Sequence, residues 1–174
     1  GEGHERATIE LPAVQRRFLQ AMHETGKPVI YVNCSGSCVG FEGIEHAYDA
    51  LLQAWYPGQE GGTAVADILF GDFNPSGKLP VTFYKSTAQL PEFTDYSMEN
   101  RTYRYFKGEP MYAFGYGLSY TTFEFGDAQL SANSIKAGES VDITIPVTNT
   151  GKMDGAEVIQ VYVKSLTNED APIK

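Results

Sequence analysis

The chain has 174 residues, of which 42% are hydrophobic, so it can form one medium domain or two small ones around a real core. Its formal net charge of −9 argues against nucleic acid as the main partner, because phosphate binding needs a basic patch. A neutral or cationic small-molecule partner fits better. No apolar stretch approaches the roughly 20 residues that a membrane span requires.

The first third of the chain begins with a helical pattern and then a strand pattern. Residues 11–26 place apolar side chains at helical spacing, with Pro12 near the first turn and Gly26 where a C-cap belongs. The continuous apolar run VIYVNC, residues 29–34, is typical of a strand covered on both faces. The sequence therefore predicts an amphipathic helix followed by a buried strand.

A second strand and a further helix follow in the same order. GIEHAYDALLQAWYPG predicts a short helical turn running into a buried strand at about residues 50–55, and GGTAVADILFG predicts a helix from about Gly61 to Leu69. Such alternation implies right-handed crossovers and a largely parallel sheet with helices on its faces. We therefore expect an α/β fold, with ligands approaching the carboxyl ends of the strands.

The loops after the two strands hold the candidate binding residues of this region. Trp55, Tyr56, Gln59 and Glu60 could bind a sugar through aromatic faces and polar hydrogen bonds. The competing interpretation makes Trp55 a core residue and places Glu60 in the first turn of the next helix, where its charge is favourable.

The two cysteines, Cys34 and Cys38, stand four residues apart in NCSGSC. No second cysteine pair or histidine cluster completes a zinc site in the sequence. We expect small buried or half-buried thiols, with a local disulfide or a reactive thiol as the alternative.

The middle of the chain is rich in aromatic residues, Gly and Pro. KLPVTF, residues 78–83, is expected to return the chain to a strand. Eight tyrosines and phenylalanines between Tyr96 and Tyr120 are too apolar to be left in water, which predicts a packed connector rather than a flexible linker. NRTYRYFKGEP, which contains Arg101, suggests docking on a neighbouring domain or a contribution to a substrate cleft. FGYGLSYTTF suggests a glycine-aromatic structural clamp.

The last part of the chain has strand patterns only. SVDITIPVTNTG alternates apolar and polar residues as a half-buried antiparallel strand does, NTGKMDG predicts a turn, and AEVIQVYVKS predicts the next strand. With TFEFGDAQLSA this gives about three strands, whereas a β-sandwich usually needs about seven. We therefore expect further strands to come from elsewhere, or the chain to be a truncated piece.

Three stretches together resemble the C-terminal part of glycoside hydrolase family 3, especially its β-xylosidase and β-glucosidase members. They are ERATIELPAVQ, QAWYPGQEGGTAVADILFGDFNPSGKLPVTF and RTYRYFKGEPMYAFGYGLSYTTFEF. The resemblance implies that residues 1–95 are the C-terminal half of a three-layer α/β sandwich domain with a mostly parallel sheet. It makes residues 96–120 the connector and residues 121–174 the N-terminal part of an all-β, fibronectin type III-like sandwich.

The resemblance also implies a retaining, exo-acting β-glycosidase that uses two carboxyl groups roughly 5 Å apart. The family's nucleophile is an aspartate of a TIM-barrel domain, which this chain lacks. Its acid/base glutamate precedes a Glu-Arg or Asp-Arg pair, here Glu5-Arg6, which makes Glu2 the candidate general acid/base. A frayed terminal position for Glu2, or a glutamate before Gly1 in its role, stays open.

His4 and Arg101 are candidate substrate-binding residues by position and chemistry, against a solvated histidine and an arginine that docks on a neighbouring domain. Glu5 and Arg6 are expected to form a structural ion pair or cap. No metal or cofactor is implied. The implied partners are a β-linked oligosaccharide and the N-terminal TIM barrel of the same protein, and the implied location is periplasmic or secreted.

The leading hypothesis is thus a fragment of a β-glycosidase acting on terminal β-xylosyl or β-glucosyl residues, inactive by itself. The sequence leaves open which of the two sugars is preferred. A non-catalytic carbohydrate-binding or structural module on the same scaffold is the alternative. A nucleotide-binding α/β domain is disfavoured, since neither GxGxxG nor GxxxxGK[ST] follows a predicted strand.

Overall fold

Helices and strands alternate in the first part of the fold, and short strands follow in the last third. The computed structural model describes residues 6–168 and residue 171. Within them, two 3₁₀ turns span Glu45–Ala47 and Thr87–Gln89. The other elements, in chain order, are α1 (Ala13–His23), β1 (Ile30–Asn33), β2 (Ala50–Gln53), α2 (Gly61–Phe70), α3 (Thr102–Tyr105), β3 (Phe123–Phe125), β4 (Gln129–Leu130), β5 (Ile143–Thr144) and β6 (Val147–Asn149).

Helix α1 confirms the helix predicted at residues 11–26. Pro12 holds the N-cap position, and Gly26 adopts φ +71°, a left-handed conformation that glycine tolerates and that stops the helix. Of the helical residues only Leu19 is buried, whereas Val14 and Phe18 are 63% and 64% exposed. Much of the apolar stripe is therefore left uncovered by the described residues.

Strands β1 and β2 form a parallel pair, as the alternating pattern predicts. Their register joins Ile30 to Ala50 and ends with Asn33 beside Gln53. The sequence predicted a strand covered on both faces, and this is wrong for the start of β1, where Ile30 is 53% exposed. A parallel sheet is normally covered on both faces, and here the described elements cover only part of it.

The core lies between α1, the sheet and the segment that links the two strands. Phe41 is completely buried and makes edge-to-face contacts with Tyr31 and Tyr48, whose ring centroids lie 5.6 and 5.5 Å from its own. The other buried apolar residues of this cluster are Leu11, Leu19, Val39, Ile44 and Ala47. The loop between β1 and β2 thus supplies most of the core.

Helix α2 confirms the second predicted helix, but KLPVTF does not form the strand expected after it. Leu79 donates its N–H to the carbonyl of Tyr116 at 2.8 Å, and Phe83 donates to Tyr112 at 2.9 Å. Pro80 lies between these two donors and has no N–H, so a regular ladder is interrupted. A single antiparallel bridge between Phe83 and Tyr112 remains.

The FGYGLSYTTF segment closes against the residues that follow α2, as the clamp interpretation predicts. Gly117 touches the carbonyl of Gly77 so closely that a Cβ at position 117 would overlap it. Lys78 Nζ donates to the Gly117 carbonyl at 2.8 Å, and the buried Asn74 exchanges hydrogen bonds with Ser119. These contacts fix the connector to the α/β part.

The last third contains two short antiparallel pairs, β3 with β6 and β4 with β5. The single strand predicted over residues 141–148 is divided between β5 and β6, because Pro146 cannot donate to a ladder, and its carbonyl accepts from Gly126 at 2.9 Å. The strand predicted at AEVIQVYVKS is wrong for the described residues, since residues 156–164 pair with no strand there. Nor does any helix among residues 6–168 have the length and hydropathy to cross a bilayer.

Glu10 ties the start of the described chain to the 3₁₀ turn at Thr87–Gln89. Its carboxylate accepts hydrogen bonds from the Thr87 N–H and the Thr87 hydroxyl, each at 2.7 Å. Partial burial raises the pKa of the Glu10 carboxyl, but these hydrogen bonds outweigh burial and lower the pKa to about 2. Glu10 is therefore a structural carboxylate and stays ionised at neutral pH.

Removal of the Phe41 ring should strongly destabilise the fold. Phe41→Ala empties a fully buried site between two tyrosines, so we expect a loss of about 3–5 kcal/mol in the free energy of unfolding, measured by urea titration. Phe70→Ala is the matched control, since Phe70 is 85% exposed, and it should change stability by less than about 0.5 kcal/mol. Equal effects of the two replacements would contradict this location of the core.

The Glu10–Thr87 contact should make stability depend on acid pH. Because the folded pKa of Glu10 lies below its ordinary value of 4.5, its contribution is complete above that value and is lost as pH falls towards 2. With solvent screening of this half-buried group, we expect Glu10→Gln to cost about 1 kcal/mol at pH 7 and almost nothing near pH 2. Glu42→Gln, at an exposed carboxylate, is the control in the same urea titrations. A pH-independent cost for Glu10→Gln would contradict the linkage.

Candidate functional site

A cleft of about 810 Å³ opens beside β1 and its carboxyl end. Its walls come from the residues before α1, from α1 itself, from β1 and from the loop after β1. This volume is in the range of small-molecule sites. The polar residues of its lining are Arg6, Thr8, Glu10, Gln15, Tyr31, Asn33, Cys34 and Ser35.

The end of the parallel sheet carries a closed network of amide side chains. Asn33, only 4% exposed, donates from Nδ2 to Gln53 Oε1 at 2.6 Å and to Ser35 Oγ at 3.0 Å. Gln53 Nε2 donates in turn to the Ser35 carbonyl at 2.9 Å. The buried Asn33 and the half-buried Gln53 thus both have partners, and the loop that leaves β1 is fixed to both strands.

Arg6 fastens the start of the described chain to this loop. Its Nη2 donates to Ser37 Oγ at 2.8 Å and to the Cys38 carbonyl at 2.9 Å, and Ser35 Oγ donates to the Ser37 carbonyl at 2.8 Å. The guanidinium therefore connects the N-terminal segment to the hydrogen-bonded sheet end. The partner expected for Arg6 from the sequence, Glu5, lies outside the described residues.

Both cysteines are free thiols, but the predicted burial is confirmed for Cys38 only and is wrong for Cys34. Cys34 is exposed and Cys38 is half-buried, with its Sγ 3.8 Å from the carbonyl oxygen of Tyr84. Burial raises the pKa of the Cys38 thiol to about 11, so this group is protonated at neutral pH. A protonated thiol is a poor nucleophile, which leaves Cys38 a packing role.

The loop after β2 meets the loop after β1. Tyr56 is 77% exposed and its ring lies so close to Gly36 that a Cβ there would overlap it. Trp55 adopts φ +55° and packs edge-on against buried Phe83, with ring centroids 6.1 Å apart. Tyr56 is therefore exposed at the carboxyl edge of the sheet, whereas Trp55 is half-buried.

Glu60 stands at the N-cap of α2, where Thr63 Oγ1 donates to its carboxylate at 3.4 Å. A carboxylate there interacts favourably with the helix N-terminus, which was the alternative role considered for it. The structure therefore gives Glu60 a local structural contact and leaves Gln59 exposed on the same loop.

The three site residues expected from the sequence stay predictions. Glu2 and His4 lie outside the described residues. Arg101 does not line the cleft beside β1: its guanidinium donates to the backbone carbonyls of Glu92 at 2.8 Å and Asp95 at 2.9 Å. Arg101 therefore holds the backbone just before the connector, which is a structural role, as in the competing interpretation.

Asn33 and Gln53 are the residues that the sequence interpretation missed. Each is the polar residue that ends an otherwise apolar strand, and this signal could have identified the pair. Among residues 6–168 and residue 171, no three side chains of His, Cys, Asp or Glu come together as metal ligands would.

Comparison with known proteins assigns the chain to a family. Residues 1–120 match the Glycosyl hydrolase family 3 C-terminal domain. A xylan 1,4-beta-xylosidase of Xylanibacter ruminicola is 57% identical over 99% of this chain and 20% of its own length. A periplasmic beta-glucosidase of Salmonella typhimurium is 40% identical over 99% of this chain and 24% of its own length.

Solved structures agree with the sequence relatives. A beta-glucosidase from Listeria innocua, in complex with isofagomine, superposes with a TM-score of 0.83 at 34% identity, covering 99% of this chain and 26% of that one. A beta-glucosidase from Kluyveromyces marxianus has the same score and identity, covering 98% and 22%. The chain thus spans about a fifth to a quarter of the length of these relatives. It belongs to glycoside hydrolase family 3, whose C-terminal domain its residues 1–120 match.

Proposed function

We propose that this chain is part of a β-glycosidase that removes terminal β-xylosyl or β-glucosyl residues from oligosaccharides. The observation that carries the proposal is the fastening of Arg6 to the loop after β1, since it brings the N-terminal segment to a polar cleft at the carboxyl edge of the sheet. The relatives named a xylan 1,4-beta-xylosidase and a periplasmic beta-glucosidase support the reaction class.

The architecture proposed for the whole protein follows the family. A preceding TIM barrel supplies the nucleophilic aspartate, residues 1–95 complete a three-layer α/β sandwich, residues 96–120 connect, and residues 121–174 begin a fibronectin type III-like sandwich. Two observations support this. Strands β1 and β2 form a two-stranded parallel sheet, and parallel sheets are normally larger and covered by helices on both faces. The strand pairs after residue 120 are short and partial. The relative named as periplasmic supports export from the cytoplasm.

The proposed mechanism is double displacement with retention. Glu2, protonated, gives its proton to the glycosidic oxygen while the barrel aspartate attacks the anomeric carbon and the aglycone leaves. Glu2, now ionised, takes a proton from water, which attacks the glycosyl-enzyme and releases the sugar. Four peptide units separate Glu2 from Arg6, a reach of at most about 14 Å, so the acid/base works close to the fastened edge.

Arg6 is proposed as the positioning residue for this glutamate. General acid catalysis needs the carboxyl group within hydrogen-bond reach of the leaving oxygen. The two hydrogen bonds of Arg6 hold it at the loop after β1, four residues along the chain from Glu2. Glu10, which lines the same cleft, is unsuited to the acid role because its low pKa keeps it ionised at neutral pH.

The full-length protein should hydrolyse aryl β-xylosides or aryl β-glucosides, and this chain alone should not. The reason is that the proposed nucleophile lies on the preceding barrel. Release of nitrophenol from a panel of aryl glycosides measures both. An inactive full-length protein with a native melting transition would favour the non-catalytic module instead, and turnover by the chain alone would contradict a nucleophile on the barrel.

Glu2→Gln in the full-length protein should remove acid catalysis. We expect kcat/KM to fall by about 10²–10⁴-fold for phenyl glycosides and to change little for 2,4-dinitrophenyl glycosides, whose leaving group needs no proton. For the activated substrate kcat should nevertheless fall, because Glu2 also takes the proton from water in the second step, and azide, which needs no such base, should restore it. Unchanged kcat/KM with phenyl glycosides would assign the acid/base to a residue other than Glu2.

Arg6→Ala should give a weaker version of the same pattern. We expect about a 10-fold to 100-fold loss in kcat/KM that grows as the leaving group becomes poorer, because the acid is misplaced and not removed. Arg16→Ala is the control, since Arg16 Nη2 makes a similar bond, 2.9 Å, to the Glu42 carbonyl outside the cleft. A loss of equal size for all leaving groups would make Arg6 a purely structural residue.

A further inference from the structure

A large aromatic side chain at the carboxyl edge of the sheet has no part in the proposed chemistry. Tyr56 follows Trp55 just beyond the end of β2 and is 77% exposed. A tyrosine ring offers apolar faces and one polar hydroxyl. A pyranose ring matches such a surface, because C–H groups cover its faces and hydroxyls surround its edge. Tyr56 therefore has the chemistry of a residue that stacks on a sugar.

The loop after β1 holds the Tyr56 ring at its hydroxyl end. A Cβ at position 36 would overlap ring carbons and the hydroxyl oxygen of Tyr56, so Gly36 is what lets the two loops touch. Both neighbours of Gly36 are fixed: the Ser35 carbonyl accepts a hydrogen bond of 2.9 Å from the side chain that ends β2, and Ser37 Oγ accepts from Arg6 Nη2 at 2.8 Å. Tyr56 therefore rests on the same loop that fastens Arg6.

The turn that carries Tyr56 is also constrained from within. Trp55 has φ +55°, which a bulky residue rarely adopts, and its ring is held edge-on against the buried Phe83. On the other side of Tyr56 the turn closes through Gly58, which has φ +72° and accepts a hydrogen bond from the Gly61 N–H at 3.2 Å. Strained backbone of this kind is concentrated at ligand sites. A ring that is ordered in advance also loses less conformational entropy when it binds.

Tyr56 borders the cleft beside β1. Ser35 belongs to the lining of this cleft, and the next residue, Gly36, makes the contact with the Tyr56 ring. Because Gly36 touches the hydroxyl end and most of the ring is exposed, a ligand in the cleft can reach a face of the ring. Sites that bind small molecules combine such an apolar surface with a few polar groups that fix orientation. One aromatic ring at the rim of a polar cleft suits a saccharide.

We propose that Tyr56 stacks on the leaving sugar of the substrate, the unit that carries the glycosidic oxygen away. The general acid protonates that oxygen, so the acid and the leaving sugar lie on the same side of the bond that breaks. Arg6, close in the chain to the proposed acid Glu2, binds Ser37, which is the neighbour of Gly36. This inference rests on the proposed function and deepens it, because it makes saccharides, rather than small alcohols, the preferred leaving groups.

Binding to the full-length protein tests the proposal without turnover. The probes are the thio-linked analogues of xylobiose and cellobiose, which resist hydrolysis, with xylose and glucose as the corresponding single sugars. By titration calorimetry we expect Tyr56→Ala to weaken binding of the disaccharide analogue by about 10-fold, as the loss of one stacking contact implies. Binding of the single sugar, which occupies the position of the released terminal unit, should not change. Tyr56→Phe keeps the ring and should bind both probes as the wild type does.

Gly36→Ala displaces the ring without removing it. Gly36 is not among the glycines with positive φ, so alanine suits its backbone, and the atoms nearest to the new Cβ all belong to Tyr56. We expect this variant to bind the disaccharide analogue more weakly and the single sugar normally. Phe70→Ala is the control, since Phe70 is 85% exposed at the far end of α2, about 15 Å along the helix from its start, and it should change neither affinity.

Three binding results would overturn the proposal. Equal affinity of Tyr56→Ala and the wild type for the analogue would remove the contact. The same loss in Tyr56→Phe would make the hydroxyl, and not the ring, the binding group. A lower melting temperature of Tyr56→Ala with unchanged binding would make Tyr56 a packing residue of the longer polypeptide.

Kinetics with the natural disaccharides and with glycosyl fluorides separate this inference from the proposed function. Glycosyl fluorides have no leaving sugar, so Tyr56→Ala should lower kcat/KM by about 10-fold for the disaccharide only. Equal losses for both substrates would overturn the assignment to the leaving sugar and keep the glycosidase. A wild type that binds the analogue through Tyr56 but hydrolyses neither substrate would overturn the glycosidase and keep the stacking contact.

Discussion

The parallel register of β1 and β2 places Asn33 beside Gln53, and the contacts that shape the carboxyl edge depend on this pairing. The two amides bind each other and Ser35, which fixes the loop after β1. That loop then offers Ser37 and the Cys38 carbonyl to Arg6. A shift of one residue in the register would turn the two amides to opposite faces of the sheet and release the loop.

The hydrophobic core holds the other end of the segment that links β1 to β2. Phe41 lies on the segment between the strands, and its contacts with Tyr31 and Tyr48 bind that segment to β1. The same segment therefore fills the core at one point and forms the wall of the cleft at another. Tight packing at Phe41 and hydrogen bonding at Asn33 are consequently parts of one constraint.

The connector couples the two halves of the chain through backbone contacts. Glycines at positions 77 and 117 allow the two segments to touch, and the Lys78 ammonium binds both the Gly117 carbonyl and Glu157, whose carboxylate oxygen is 3.1 Å away. The aromatic residues predicted to need cover are only partly covered by these contacts. Those that stay exposed, such as Phe93 and Tyr96, belong to a loop that Arg101 holds in one shape.

The sequence by itself determined α1, α2, the two parallel strands and the family, because apolar periodicity, helix-ending glycines and long glycine-aromatic motifs are local features. The strands predicted at KLPVTF and over residues 141–148 are less regular than expected. Pro80 and Pro146 have no N–H to donate to a neighbouring strand, and this matters only where the fold places such a strand. Tertiary structure alone decided the site contacts. The bonds of Arg6 to the loop after β1, and of Arg101 to the carbonyls of Glu92 and Asp95, join atoms that no sequence pattern identifies. Backbone carbonyls are present at every residue, and only folding selects which are within reach.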